Sequence, residues 1–143
     1  MPIPLNILEY LKNKKQKFCT LATATADGRP HASMLKYAIM EDGTLILATH
    51  KNTKKWYDLT ENGHVALVIG TSFEELNVQI HGNATIADEN GKKQIEAYTA
   101  THPYLGEIKD NPDVVFIIIQ PTWIRTTDFS KQPPEKTEAT IPV

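Results

Sequence analysis

The sequence predicts a mainly β (α+β) protein, a six-stranded antiparallel β-barrel with flanking short helices. Three observations predict it. Two Asp-Gly turns, Asp27-Gly28 and Asp42-Gly43, join three successive strand-like segments. Residues 76–87 alternate strictly between apolar and polar side chains. The order α-β-β-β-α-β-β-α-β-β is dominated by hairpin-linked strands, which argues against parallel βαβ winding. An antiparallel sheet of this size curls into a barrel.

The elements follow in chain order. Residues 6–15 read as a helix, with Ile7, Leu8 and Leu11 on one stripe and Asn6 as the cap. The lysine-rich end, Lys12 to Lys17, places cations where the helix dipole favours them. Residues 18–26 form a strand of small side chains. Leu21, Thr23 and Thr25 take one face, and Ala22 and Ala24 the other. The small face leaves room for something bulky. Asp27-Gly28 then turns the chain, because glycine accepts positive φ.

Residues 30–40 are the second strand, with Pro30 at its start, where a missing N–H is tolerated. Residues 43–49 are the third. A short helix spans 52–62, and Gly63 is expected to close it as the C′ residue. The start of this helix, Thr49-His50-Lys51-Asn52-Thr53-Lys54-Lys55, sets backbone donors beside three lysines and two threonines. That combination suits a phosphate.

Residues 64–70 form the fourth strand. In 76–87, Leu76, Val78, Ile80, Gly82, Ala84 and Ile86 share one face; Asn77, Gln79, His81, Asn83 and Thr85 share the other. The polar row is either a solvent face or the lining of a polar pocket. A helix over 92–99 fades before Pro103, and a loop carrying Pro103, Gly106 and Pro112 leads to Asp113. Residues 114–120 are apolar on both faces and need cover on both sides, from the barrel and from a partner subunit. Pro121 interrupts, and 122–127 is the last strand. The domain is expected to end at residue 129. Residues 130–143 form a Pro-, Lys- and Glu-rich tail without periodicity, expected to be loosely held.

A chain of 143 residues suits one domain with a proper core. The net charge of −2 does not point to nucleic acid. Cys19 is the only cysteine, so no intrachain disulfide forms, which fits a reducing cytoplasm. No apolar run approaches the roughly 20 residues of a membrane helix. The start, Met1-Pro2-Ile3-Pro4-Leu5, reads as a mature N-terminus rather than a signal peptide. No His, Cys, Asp and Glu cluster has metal-ligand spacing, and Ser33 has no G-x-S-x-G elbow. Cys19 reads as a small buried hydrophobe. The five histidines, His31, His50, His64, His81 and His102, read as surface or hydrogen-bonded side chains.

This order and these residues resemble the pyridoxamine 5′-phosphate oxidase-like family of FMN-binding split β-barrels. Four pieces across roughly residues 18–129 carry the resemblance. They are Leu21-Ala22-Thr23 with Asp27-Gly28-Arg29-Pro30; the strand Ser33-Met34-Leu35-Lys36-Tyr37; Ala48-Thr49 with Lys54-Lys55, Leu59 and Val65-Ala66-Leu67; and Asn77 to Ala84.

The resemblance implies FMN in a groove between the two subunits of a homodimer. Lys54 and Lys55 would hold its phosphate, and Thr49 and Thr53 would add hydroxyl bonds. His31, Ser33, Met34 and Leu35 align with the strand beside the isoalloxazine. Asn77 or Gln79 would bond the ring's polar edge. Trp123 and Arg125 alternate onto one face of the last strand. They are either a Trp–Arg stack on the barrel rim or a pair reaching the flavin or substrate from the second subunit.

The chain departs from the oxidase proper in its ending, Gln132-Pro133-Pro134-Glu135-Lys136, which has no recognisable substrate motif. The expectation is a cytoplasmic flavoprotein, a flavin-dependent oxidoreductase acting on a small molecule, with no protein general base named. The alternatives are F420 or haem in the same fold, haem requiring an exposed histidine such as His81; a non-catalytic flavin-binding sensor or stress protein; and an interaction module that has lost its cofactor.

Overall fold

The computed structural model describes residues 3–105 and 108–142. Met1 and Pro2 of the expected mature start, and Gly106 of the expected loop, lie outside the described residues. Helix α1 (Leu5–Asn13) buries Ile7, Leu8 and Leu11 against the sheet. Its cap position is Pro4, not Asn6, and no side chain caps it. At the other end the buried Tyr37 hydroxyl donates to the Leu11 carbonyl at 2.8 Å, satisfying one of the helix's orphan acceptors.

Strands β1 (Phe18–Ala24), β2 (Pro30–Ile39) and β3 (Leu45–His50) form the expected meander. Both turns are built alike. Thr25 N–H donates to the Arg29 carbonyl, and Met40 N–H to the Thr44 carbonyl, each at 2.9 Å. Each turn is therefore a three-residue loop whose last residue, Gly28 or Gly43, sits at φ near +90°.

Helix α2 (Lys54–Glu61) follows, then β4 (His64–Ile69), β5 (Asn77–Ile86) and α3 (Lys92–Thr101). The residue closing α2 is Asn62, whose N–H donates to the Asp58 carbonyl. Gly63 does not adopt the left-handed C′ conformation. Its small size has another cause: a Cβ there would stand 2.9 Å from the Ala84 carbonyl oxygen.

β6 (Val114–Asp128) is one continuous strand of 15 residues where the sequence suggests two. Pro121 lies inside it, at a register shift opposite His81 and Gly82. A bulge tolerates the missing N–H that reads as a break in sequence. The first half of β6 pairs with β3 and closes the barrel, in the order β3-β2-β1-β4-β5-β6. Its second half leaves β3 and pairs instead with β7 (Glu135–Thr140). β7 lies within the segment expected to be an aperiodic tail, and Ile141 just beyond it enters the core at 8% exposure.

The barrel interior is filled by Leu21, Tyr37, Leu47, Ile69, Ile80, Ile117, Ile119 and Ile124, none more than 1% exposed. Each such aliphatic residue contributes ~1.5–3 kcal/mol by burial. A second cluster joins Ala38, Ile46 and Phe116 to Tyr98 of α3. On the outer face of β6, Phe116 is thus covered by Tyr98 of α3, while Val114 and Ile118 stay half-buried.

Candidate ligand site on two faces of the sheet

Alternation divides the candidate residues between the two faces of the sheet. In the β1–β2 register, Thr23 faces His31, Leu21 faces Ser33 and Cys19 faces Leu35. Cys19, Leu21 and Thr23 are buried, so His31, Ser33 and Leu35 share the inner face. Met34 points the other way and is 65% exposed. The Ser33 Oγ is buried without a hydrogen-bond partner among the described residues. An orphaned hydroxyl costs free energy unless something completes it.

The basic helix start assembles on the inner side. Thr49 ends the buried row of β3, and its hydroxyl lies 3.4 Å from that of Thr53. The Thr53 hydroxyl donates to the His50 carbonyl at 2.9 Å and accepts from Trp56 N–H, capping α2. Lys54 does not stand free: its Nζ lies 3.2 Å from Oδ1 of Asp58, one helical turn on. Asp58 is 2% exposed and also accepts from the Thr23 hydroxyl at 2.9 Å. This carboxylate ties α2 to β1. Lys55 is half-buried and rotated ~100° about the helix from Lys54.

The outer face carries the second set. Asn77, Gln79, His81 and Asn83 alternate with the buried Val78 and Ile80. Gln79 lies opposite Arg125, and His81 opposite Trp123. The His81 and Trp123 rings stack at 4.5 Å between centroids, and the Arg125 guanidinium lies 5.4 Å from the Trp123 ring. Arg125 also donates to Glu138 Oε1 of β7, from Nη2 at 2.8 Å and from Nε at 3.2 Å. The Trp–Arg stack is therefore present.

Between this wall and β2 runs a trough floored by Thr20, Ala22, Ala24 and Ala66. Two adjoining hollows of about 330 and 460 Å³ follow it. The small face read in 18–26 is this floor. At the Lys36 end of β2, Lys15, Lys17, Lys36, His102 and Tyr104 line a separate cleft of about 330 Å³. His102 is buried, and its Nε2–H donates to the Tyr37 carbonyl at 2.7 Å. Burial lowers its pKa, and Lys36 and Lys17 add to the effect. Burial pushes the Cys19 thiol up to about 12, so it is an inert core group.

Thr49, Thr53 and Lys54 are brought together, as are Gln79, Trp123 and Arg125. The two groups are not brought to each other within one chain. Asp58 and Glu138 escape sequence reasoning, whereas His102 is hydrogen-bonded, one of the two readings given to the histidines. A carboxylate on an amphipathic helix looks solvent-facing, and Glu138 lies in a stretch without periodicity.

A closed antiparallel barrel, extended by one strand and carrying candidate ligand groups on both faces of its sheet, defines a split-barrel protein. Residues 7–128 match the profile of the family described as Pyridoxamine 5'-phosphate oxidase, and the chain belongs to that family. It is 31% identical over 103 residues to the chloroplastic heme oxygenase HOZ of Arabidopsis thaliana, an alignment covering 69% of this chain and 32% of the relative. The chain spans about a third of the length of the curated relatives it matches. Among solved structures it superposes on a heme binding protein from Mycobacterium smegmatis with a TM-score of 0.77 at 16% identity, covering 93% of this chain and 56% of the other. It also superposes on a pyridoxamine 5'-phosphate oxidase-related, FMN binding protein from Nostoc punctiforme PCC 73102 with a TM-score of 0.70 at 12% identity, covering 97% and 95%.

Proposed function

We propose that this chain is a homodimeric, cytoplasmic FMN-binding protein that performs flavin redox chemistry on a small molecule. The observation that carries the reading is the division of the candidate residues between opposite faces of one sheet. A single chain cannot bring both sets to one small ligand, whereas two copies packed across a groove can. Thr49, Thr53, Lys54 and Lys55 of one copy would hold the phosphate. His31, Ser33, Met34 and Leu35 would run beside the ring, where the orphaned Ser33 hydroxyl has a bond to give. Asn77 or Gln79, with Trp123 and Arg125, would close the site from the outer face of the sheet. The trough of small residues suits a flat ring system.

Bound FMN would supply hydride or single-electron transfer; the chain's own part is to bind, orient and exclude water. The lysine-lined cleft at the Lys36 end of β2 supports a substrate bearing an anionic group. The test is the visible absorption spectrum of the purified protein, with and without added FMN. Flavin bands restored by FMN after stripping are expected. A spectrum unchanged by FMN would count decisively against the cofactor.

One observation favours a second reading, haem in the same trough. His81 is an exposed imidazole on the trough wall and would be the residue that holds the haem iron. A Soret band, lost in His81→Ala, would move the assignment to haem.

A further inference from the structure

We infer that Glu138 is a positioning residue for the candidate site: it fixes Arg125 against Trp123 and cancels its charge, so the sheet face beside the trough, next to His81, is a neutral aromatic platform and not an anion clamp. This rests on the flavin reading in one respect, the identity of what lies on the platform. Three observations support it. Both Nε and Nη2 of Arg125 are directed to the single oxygen Oε1 of Glu138. The same guanidinium lies over the Trp123 ring, whose neighbour on the sheet is the stacked His81 ring. The β6–β7 register sets Arg125 opposite Glu138 and Trp123 opposite Thr140, so the contact is built into the strand pairing.

A guanidinium with its Nε edge occupied is not free to fork onto a phosphate or carboxylate. It still lies against the indole ring, on which the His81 imidazole stacks at a tilt of 37°. The pair is partly exposed, with side chains 38% and 49% accessible, so its contribution to stability is small. Its consequence is local charge. Removing Glu138 leaves an uncompensated cation beside Trp123 and favours any negative charge that develops on a bound ring.

The test uses the full chain with Trp56→Phe, which leaves Trp123 as the only tryptophan. Quenching of its fluorescence by iodide, an anion, is compared with quenching by acrylamide, which is neutral. Ionic strength is held constant at pH 8, where imidazoles are ordinarily neutral. In Glu138→Gln the iodide-to-acrylamide ratio is expected to rise about twofold, because a freed cation concentrates the anion. In Arg125→Gln the ratio should fall, and in the Arg125→Gln/Glu138→Gln double variant it should return to the starting value.

A merely structural role would move both quenchers together and leave the ratio unchanged, which overturns the proposal. If Glu138→Gln does not fold, the fall in Arg125→Gln decides, and its absence also overturns it. With FMN bound, the midpoint potential in Glu138→Gln should move positive, and an unchanged potential counts against a platform beside the ring. Should the unsubstituted protein bind no flavin, the flavin reading fails, while the quenching ratio, which needs no flavin, still decides on Glu138.

Discussion

At the residue scale, Asp58 organises the helix start that the phosphate reading depends on. It is nearly fully buried and bonded to Thr23 and Lys54. Asp58→Ala should lower stability by about 2 kcal/mol in urea unfolding, because Thr23 loses its acceptor and α2 its tie to β1. The i,i+4 spacing of Lys54 and Asp58 is visible in the sequence; the burial of Asp58 and its bond to Thr23 are not, because helical periodicity does not show which strand a side chain meets. A variant lacking only Lys54 therefore disturbs Asp58 as well as any phosphate. Lys55→Ala isolates the phosphate role and should weaken FMN binding about tenfold in fluorescence titration, a charge-assisted bond being worth ~1.5–3 kcal/mol. Unchanged binding in both Lys55→Ala and Lys54→Ala/Lys55→Ala would remove the phosphate assignment. His102 gives a pH signature. Burial lowers its folded pKa below the ordinary 6.5, so the unfolded chain takes up the proton first. Stability is full above that value and declines as pH falls below it towards the folded pKa. In thermal melts between pH 7.5 and 5, His102→Gln should flatten that decline.

At the element scale, hairpins and alternation were legible, and two features were not. Asp-Gly turns and the apolar–polar rhythm of β5 report directly on backbone and pleat, so the meander and its small face could be read. β7 could not, because Glu135 to Thr140 is polar almost throughout and is a strand only by pairing with β6. Pro121 reads as an end because its N–H is missing; the bulge that excuses it involves Gly82, far away in sequence. Gly82 allows the strands to close there, since a Cβ would stand 2.7 Å from the Gln120 carbonyl oxygen. Gly82→Ala should cost ~1–3 kcal/mol by overpacking a backbone that cannot yield. Removal of residues 130–143 should lower the melting temperature by roughly 5–10 °C, because Ile141 leaves the core and β6 loses an edge. An unchanged melting curve would mean that β7 contributes nothing to the barrel.

At the scale of the whole molecule, the distribution of the site over two faces makes a complementation prediction. Neither Lys54→Ala/Lys55→Ala nor Trp123→Ala/Arg125→Ala should hold flavin well on its own. Mixed after mild unfolding and refolding, they should recover binding at about a quarter of all sites, because each mixed dimer rebuilds one intact groove. A site confined to one chain would recover none. Light scattering should show a dimer at micromolar concentration. This expectation leans on the groove more than on the apolar strand 114–120, where α3 already covers Phe116.

Closure of the barrel by β6 has a consequence for the nascent chain. The strand that joins β3 to β5 is synthesised after the five strands of the barrel it closes. Until it leaves the ribosome, the meander carries two open edges, each offering unpaired amides to any neighbouring chain. A translational pause before residue 114 would hold the protein in its stickiest form. Productive folding therefore awaits the release of residues 114–128, and amides near Ile117 to Ile119, bonded on both edges, should be the last to exchange with deuterium.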